Sequence, residues 1–285
     1  MIQFFALVGI LALSFSAVFI RLAAVSPVTA TVFRAAYAVP VLLVIWLAQR
    51  SRDHRTSRER LLAGLAGLFL AADLDLWHEC IALVGVGLGT VLPNVQIVFV
   101  AIVAWFFYRE RPTLVAVVVM LSVTAGVVLT SGLARSDAYG ANPVLGTVLG
   151  VVGGVCYSAY LLIFRASNRS LAPTSGPLLD ATIGVLLGGL LSIAFDPHFA
   201  WTPTWPAHGW LALLALTAQV IGWLLIASAL PRLPAVETSV LLMAQPVFAF
   251  IWGWLFFAER LSTLQWTGSG IVLAGVVTLS MIRRP

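Results

Sequence analysis

Long apolar runs alternate with short polar breaks along the whole chain, and each run is close to the length of one membrane crossing. An α-helix needs about 20 apolar residues to cross the hydrocarbon core of a bilayer. The two-residue alternation of a membrane β-barrel is absent from the sequence. The pattern predicts an all-α integral membrane protein with ten transmembrane helices. The predicted spans are about 3–22, 29–49, 61–83, 88–108, 112–133, 144–166, 176–195, 210–230, 235–257 and 263–282.

One stretch occurs twice. Residues 96–111 read QIVFVAIVAWFFYRER, and residues 245–260 read QPVFAFIWGWLFFAER. The pairs that chance explains least are Gln96/Gln245, Trp105/Trp254, Glu110/Glu259 and Arg111/Arg260. The match continues without a gap to Ser131 and Ser280. It predicts a duplication, with one repeat over residues 1–133 and a second over residues 144–282.

Each predicted repeat has five spans, which is an odd number. The second repeat must therefore enter the membrane from the side opposite to the first. Inverted repeats of this kind are typical of secondary transporters, where they are related by a pseudo-two-fold axis in the membrane plane. The two halves are expected to open alternately to the two sides.

The placement of arginine predicts the orientation, because short positively charged loops stay in the cytoplasm. With the N-terminus inside, twelve arginines lie on the inner side and four lie on the outer side or at outer helix ends. The inner ones are Arg50, Arg52, Arg55, Arg58, Arg60, Arg109, Arg111, Arg165, Arg169, Arg232, Arg283 and Arg284, and the outer ones are Arg21, Arg34, Arg135 and Arg260. Both termini are expected in the cytoplasm, and the tryptophan-rich break at 197–209 is expected outside.

Composition agrees with a membrane protein: 61% of the residues are hydrophobic and 9% are charged. The net charge of +5 comes entirely from arginine, and its distribution in loops argues against nucleic-acid binding. Because the chain has no lysine, it cannot contain the GxxxxGK[ST] phosphate-binding loop. The two cysteines, Cys80 and Cys156, lie in apolar spans and predict no disulfide framework.

The repeated motif also carries a family resemblance. An apolar helix with Gln and Pro, then Phe and Trp, a terminal Glu-Arg, and a following helix ending in Gly-Val-Val resembles the EamA repeat of the drug/metabolite transporter superfamily. The second half, around Gln245 and Pro246, matches closely, whereas Pro93 is displaced in the first half. The resemblance implies a multi-pass transporter of the bacterial inner membrane, similar to exporters of aromatic and other amino acids. Glu259-Arg260 is read as a family signature at a turn.

The third span contains the sequence DLDLWHE, with ionisable residues near the middle of the predicted membrane. A charge there costs at least about 2.5–3.5 kcal/mol, so such residues commonly mark a substrate or proton pathway. On a helix, Asp75, His78 and Glu79 share one face. We predict that His78, with a carboxylate, contacts substrate, and that Asp73, Asp75 and Glu79 are the candidates for ion coupling. The alternative is that the acids are neutral or pair with an arginine such as Arg34 and only join helices.

Other polar and aromatic positions are candidates for the wall of a substrate site. Asn94, Gln96 and Gln245 interrupt apolar helices near prolines, and they are expected either to bond a polar substrate or to join helices. Tyr157 and Tyr160, Gln219 and Trp223, and Trp77 beside His78 suit a pocket for an aromatic or apolar side chain. Most aromatics in a membrane bundle only pack, which is the alternative for each. The GxxxG pairs Gly85/Gly89, Gly150/Gly154 and Gly184/Gly188 predict close helix contacts.

These features predict a secondary transporter that exports small metabolites, above all amino acids, by alternating access. Its expected partners are a small-molecule substrate and the lipid bilayer, and no cofactor or metal is predicted. An exporter of drugs or other metabolites is the alternative within the same superfamily. An intramembrane enzyme on lipid-linked substrates is a second alternative, although His78 has no evident catalytic partner. A channel or scaffold would not need the inverted duplication. The oligomeric state is left open.

Overall fold

The computed structural model describes residues 2–84, 92–109, 111–130, 142–168, 173–257 and 262–281. In these ranges the regular structure is helical, without strands, which confirms the all-α prediction. The helices are α1 (Ile2–Ser14), α2 (Ser16–Ala23), α3 (Pro27–Gln49), α4 (Ser57–Val84), α5 (Gln96–Tyr108), α6 (Leu114–Thr130), α7 (Pro143–Ser167), α8 (Ser175–Ser192), α9 (Ala207–Leu214), α10 (Trp223–Ala229), α11 (Ala235–Leu242), α12 (Ala244–Phe257) and α13 (Thr263–Met281). Short 3₁₀ turns lie at Arg50–Arg52, Leu92–Val95, Ile193–Phe195 and Leu230–Arg232, and Ala215–Gly222 is π-helical.

Among the described residues, six helical stretches are long and apolar enough to cross a membrane. These are Ile2–Ala23, Pro27–Arg52, Ser57–Cys80, Val144–Ser167, Ser175–Phe195 and Ala207–Arg232, with shorter apolar helices at Leu92–Phe107 and Leu114–Gly126. A multi-pass membrane protein is therefore shown, while the count of ten spans stays a prediction. The predicted ninth span consists of two helices, α11 and α12, that meet at Met243.

Local capping explains where several helices begin. Ser26 accepts a bond from the Thr29 backbone N–H (3.3 Å) just before Pro27, the first residue of α3, and serine at the cap with proline next is a favoured helix start. At the start of α4, Thr56 and Glu59 bond each other's backbone N–H groups at 2.7 and 3.3 Å. This reciprocal capping box satisfies donors that the helix itself leaves unpaired.

The chain divides into two compact units. Unit 1 comprises Met1–Asp75 and Ala159–Arg232, and unit 2 comprises Leu76–Ser158 and Leu233–Pro285. Each unit therefore takes segments from both halves of the sequence. The boundaries of the repeats, 1–133 and 144–282, stay a prediction, because the compact units follow contacts rather than the order of the chain.

Within each unit, helices contact their counterparts from the other half. In unit 1 the second span, α3, packs along the seventh, α8. In unit 2 the fifth span, α6, packs along the tenth, α13, and the fourth, α5, contacts the first part of the ninth, α11. Two repeats related by a pseudo-two-fold axis would bring equivalent helices together in this way. The two-repeat architecture fits these contacts.

Glycines set the closest helix contacts. A Cβ atom added at Gly67 would overlap the Ala181 carbonyl, and one added at Gly184 would overlap the Gly64 carbonyl, where α4 meets α8. In unit 2 a Cβ at Gly154 would lie 2.8 Å from the Pro93 carbonyl oxygen. The prediction of close contacts at the Gly150/Gly154 and Gly184/Gly188 pairs is confirmed, and Gly85/Gly89 lies outside the described residues.

Candidate functional site

A chain of buried polar side chains joins three helical segments of unit 1. Arg34 of α3 donates from Nε to Oε1 of Gln219 (2.8 Å), and Gln219 donates from Nε2 to Oγ1 of Thr182 in α8 (3.0 Å). Arg34 is 5% exposed and Gln219 is 1% exposed. A guanidinium within a membrane-spanning helix is costly and is by default a hypothesis for a functional site. We call Arg34, Gln219 and Thr182 the unit 1 polar chain.

The π-helical turn Ala215–Gly222 places Gln219 in this chain. Short π-helical segments inside α-helices are rare and are frequent at functional sites. The turn is held against α1, because a Cβ at Gly222 would lie 3.1 Å from the Gly9 carbonyl oxygen. Gly9 and Gly222 let the two backbones approach closely and fix the position from which Gln219 projects.

An aromatic group follows directly after the π-helical turn. The rings of Trp223 and Tyr160 meet edge to face, with centroids 4.9 Å apart and planes at 88°, and Phe164 lies 5.6 Å from Tyr160. Trp223, Tyr160 and Phe164 are fully buried. Tyr160 and Trp223 were both predicted as site residues, and the structure brings them into contact.

The acids of the third span lie in α4, at the end of the unit 1 portion of that helix. Asp73 is 8% exposed, and Asp75, which is half-buried, accepts a hydrogen bond from the Ser192 hydroxyl. Ser192 also donates to the Gly188 carbonyl (3.2 Å), so the serine is positioned by its own helix. Asp75 thus joins α4 to α8. Its role in ion coupling stays a prediction.

Trp77, His78 and Glu79 continue α4 into unit 2. The Trp77 and His78 rings lie with centroids 4.9 Å apart at 42°. Both side chains are half-buried, whereas Glu79 is exposed. The two rings form a tilted pair from neighbouring positions, and the exposed Glu79 does not share their surroundings.

The remaining predicted site residues also lie in unit 2. Asn94 lies in the 3₁₀ turn before α5, Tyr157 in α7 and Gln245 in α12, and all three are half-buried. Gln96 is buried, and its backbone carbonyl accepts a bond from Ser158 (3.2 Å). The role of Asn94, Tyr157 and Gln245 in substrate binding stays a prediction.

An ion cluster at the beginning of the third span was not predicted. Arg55 donates from Nε to Asp53 (2.8 Å) and from Nη1 to Asp180 of α8 (2.8 Å), and the Trp46 indole donates to Asp53 (2.7 Å). Two features of the sequence could have indicated this cluster: Asp53 lies within a run of arginines, and Asp180 is an acid in an apolar helix. We call Trp46, Asp53, Arg55 and Asp180 the loop ion cluster.

Electrostatics in this cluster favour the charged forms of Asp53 and Arg55. Burial opposes the charge of Asp53, but hydrogen bonds from Arg55 and Trp46 and the charge of Arg55 outweigh it and hold the pKa of Asp53 well below its usual value. Burial likewise opposes the charge of Arg55, but its bonds to Asp53 and the charge of Asp180 raise its pKa. The cluster ties the loop before α4 to α8.

Some predicted features cannot be placed. Glu110, Glu259 and Arg260 lie outside the described residues. Within the described ranges, no group of three or more His, Cys, Asp and Glu side chains is arranged to hold a metal ion.

Apolar membrane-spanning helices drawn from both halves of the chain, with polar side chains buried inside them, define a polytopic membrane transport protein of the two-repeat type. The model of the EamA-like transporter family matches this chain twice, over residues 1–132 and 144–281, and the chain belongs to that family. The resemblance noted in the sequence is thereby confirmed at the level of the family. Family membership also agrees with the prediction that the chain is a transporter rather than an enzyme.

Relatives in two organisms are also named as transporters. The uncharacterized transporter YwfM of Bacillus subtilis is 23% identical over 86% of this chain and 80% of its own length. An uncharacterized transporter of Archaeoglobus fulgidus is 26% identical over 67% of this chain and 66% of its own length. A solved crystal structure with 20% identity covers 99% of both chains at a TM-score of 0.81, which shows a shared fold. None of these names a substrate.

Proposed function

We propose that this EamA-family protein is a secondary transporter that exports small metabolites, chiefly amino acids including aromatic and other hydrophobic ones, by alternating access between two inverted halves. Its expected location is the bacterial inner membrane, with both termini in the cytoplasm. Twelve of the sixteen arginines support that orientation.

The observation that carries the proposal is that a guanidinium and a carboxyl group are both buried in the spans of unit 1. Arg34 and Asp73 are each less than one-tenth exposed, and both lie in apolar helices that by length cross a membrane. Ionisable side chains inside a membrane are retained mainly where they serve a pathway, a relay or a ligand. An amino acid carries a carboxylate and an ammonium group, so it can complement both a guanidinium and a carboxyl group.

Aromatic side chains support the inclusion of aromatic substrates. Tyr160 and Trp223 in unit 1, and Trp77 with His78 in unit 2, offer flat apolar surfaces beside polar atoms. Apolar walls with a few placed polar groups are the usual lining of small-molecule sites.

Flux through reconstituted protein tests the proposal. Liposomes carrying the purified chain and loaded with labelled phenylalanine, leucine or another amino acid of a broad panel should release at least one faster than protein-free liposomes. His78→Ala should slow that release, whereas His198→Ala, in an exposed loop, should leave it unchanged. If no amino acid moves but drug-like cations or other metabolites do, the substrate class is wrong and the alternative within the superfamily takes its place.

Coupling is tested on the acids of the third span. If transport depends on a proton gradient, that dependence should be lost in Asp73→Asn, Asp75→Asn or Glu79→Gln. Persistence of the dependence in all three would exclude these acids as the coupling site.

A further inference from the structure

Trp223 has a buried hydrogen-bond donor that meets no acceptor among the described residues. The residue is 1% exposed, and its indole Nε1 finds no hydrogen-bond partner in the described part of the chain. The indole N–H is a donor only. Leaving such a group buried and unpaired is destabilising, so an orphaned donor in a native structure calls for an explanation.

The orphaned donor lies on the same helical face as the unit 1 polar chain. Trp223 follows Gln219 by four residues, which is about one helical turn. Gln219 already offers its carbonyl oxygen to the Arg34 Nε–H and its amide to Thr182. Arg34 of α3 therefore brings a permanent positive charge to Gln219, and the indole donor lies about one turn further along the helix that carries Gln219.

The position of the indole is fixed by packing. Tyr160 contacts the Trp223 ring edge to face at 4.9 Å, and Phe164 supports Tyr160. The preceding π-helical turn is fixed by the close approach of Gly9 and Gly222. A rigid donor of this kind loses little conformational entropy when it binds a ligand.

A cation and an unpaired donor in one buried region match an anionic acceptor. Arginine pairs with carboxylates through planar, charge-assisted hydrogen bonds that are roughly twice as strong as neutral ones. The indole N–H can supply a further bond to a carboxylate oxygen. Neither group complements an amine or a cation.

We propose that Arg34 and the Trp223 indole N–H form the subsite that binds the carboxylate of the transported molecule, with Gln219 positioning Arg34. This inference rests on the proposed function, since it names the part of an amino acid that unit 1 recognises. It makes Arg34 and Trp223 determinants of specificity for acids over their amides.

Binding to the detergent-solubilised full chain tests the subsite without requiring transport. The probes are L-phenylalanine, 3-phenylpropionate and L-phenylalaninamide, read by the rise in melting temperature as each is titrated. The two carboxylates should bind and the amide should bind at least about ten-fold more weakly, because a hydrogen bond to a charged group is worth about ten-fold to a hundred-fold in affinity.

Trp223→Phe is the decisive variant, because it removes the N–H and keeps an aromatic ring. It should weaken both carboxylates by about ten-fold and leave the amide unchanged. Arg34→Lys keeps the charge but loses the planar donor pair, and it should weaken the carboxylates too. Trp210→Phe is the matched control, since Trp210 lies in the same span and stacks on Phe19 at 6.3 Å.

The outcomes separate the subsite from the proposed function. If Trp223→Phe and Arg34→Lys both bind the carboxylates as tightly as the wild type, or if the wild type binds the amide as well as the acid or binds no carboxylate, the subsite is overturned. If the wild type distinguishes acid from amide through Trp223 but moves no amino acid across liposomes, the transport proposal fails and the subsite stands.

Discussion

The two compact units bury different kinds of polar group. Among the described residues, the buried ionisable side chains include Arg34, Asp53, Arg55 and Asp73, and all four lie in unit 1. The buried polar residues described in unit 2 are uncharged: Gln96, Ser158, Thr238, Ser239 and Ser269. Glycines bring helices close together in both units, and in unit 2 a Cβ at Gly126 would lie 2.9 Å from the Gly268 carbonyl oxygen. The two units therefore differ in the ionisable side chains that they bury, and the proposed carboxylate subsite lies in the unit that buries them.

The largest expected effect is on the loop ion cluster. Arg55→Gln removes the closest charged partner of the buried Asp53 carboxylate, which keeps Arg60 at 4.0 Å, and Asp180 loses its ion pair with Arg55. Breaking one side of a buried ion pair costs about 3–5 kcal/mol. The melting temperature, followed by circular dichroism in detergent, should fall sharply. Arg52→Gln, in the same loop but exposed, is the control; equal losses in both variants would contradict a special role for the cluster.

A pH dependence should accompany that cluster. The pKa of Asp53 is lowered in the folded protein, so its stabilisation is complete above the unfolded value of about 3.9 and is lost as the pH falls below it. The melting temperature of the wild type should therefore drop below about pH 4 more steeply than that of Asp53→Asn. Parallel curves for the two proteins would show that Asp53 contributes nothing to the acid sensitivity.

Close glycine contacts should contribute to stability in both units. Gly→Ala variants therefore separate this shared feature from the buried ionisable groups of unit 1. Gly67→Ala in unit 1 and Gly126→Ala in unit 2 each place a Cβ against backbone of the facing helix. Overpacking of this kind costs about 1–3 kcal/mol. The matched controls are Gly64→Ala, whose Cβ would be 3.8 Å from its nearest neighbour, and Gly270→Ala, which meets nothing within 4 Å. Controls that melt as low as the test variants would refute the packing argument.

The smallest expected effects come from single neutral hydrogen bonds. Thr182→Val in unit 1 removes the acceptor of the Gln219 amide, and Ser158→Ala in unit 2 removes a donor to Gln96 and Gly154 carbonyls. Such bonds average about 0.6 kcal/mol in membrane proteins. Thr182→Val should be the more destabilising, because a buried amide is left unpaired. If Ser158→Ala lowered the melting temperature more than Thr182→Val, the hydrogen bond between Gln219 and Thr182 would contribute less to stability than its 3.0 Å length indicates.

Much of the fold could be predicted from the sequence because its causes are local. Long runs of apolar residues predict helices, because lipid offers backbone N–H and C=O groups no hydrogen-bond partner and a helix pairs these groups internally. The GxxxG pairs predicted close contacts at Gly150 and Gly184, because glycine has no side chain and lets a neighbouring helix approach closely, whichever helix that is. The spacing of Gln219 and Trp223 placed both on one helical face.

The candidate site was only partly predictable because its partners are far apart in the chain. Arg34 and Gln219 are separated by 185 residues, and Arg55 and Asp180 by 125. Helical periodicity shows which residues share a face, but it does not show which helices meet. The π-helical turn at Ala215–Gly222 likewise has no marker in a sequence that reads as an ordinary apolar helix.

By itself the sequence determined a helical membrane protein of the EamA type with a duplicated motif, because hydrophobic length and repetition are properties of the chain alone. The tertiary structure decided which polar side chains meet. Arg34 reaches Gln219, and Trp223 reaches Tyr160, only because α3, α7, α8 and the π-helical turn pack together in unit 1. Lipid offers a buried polar group no hydrogen-bond partner, so packing between helices decides which polar side chains can meet.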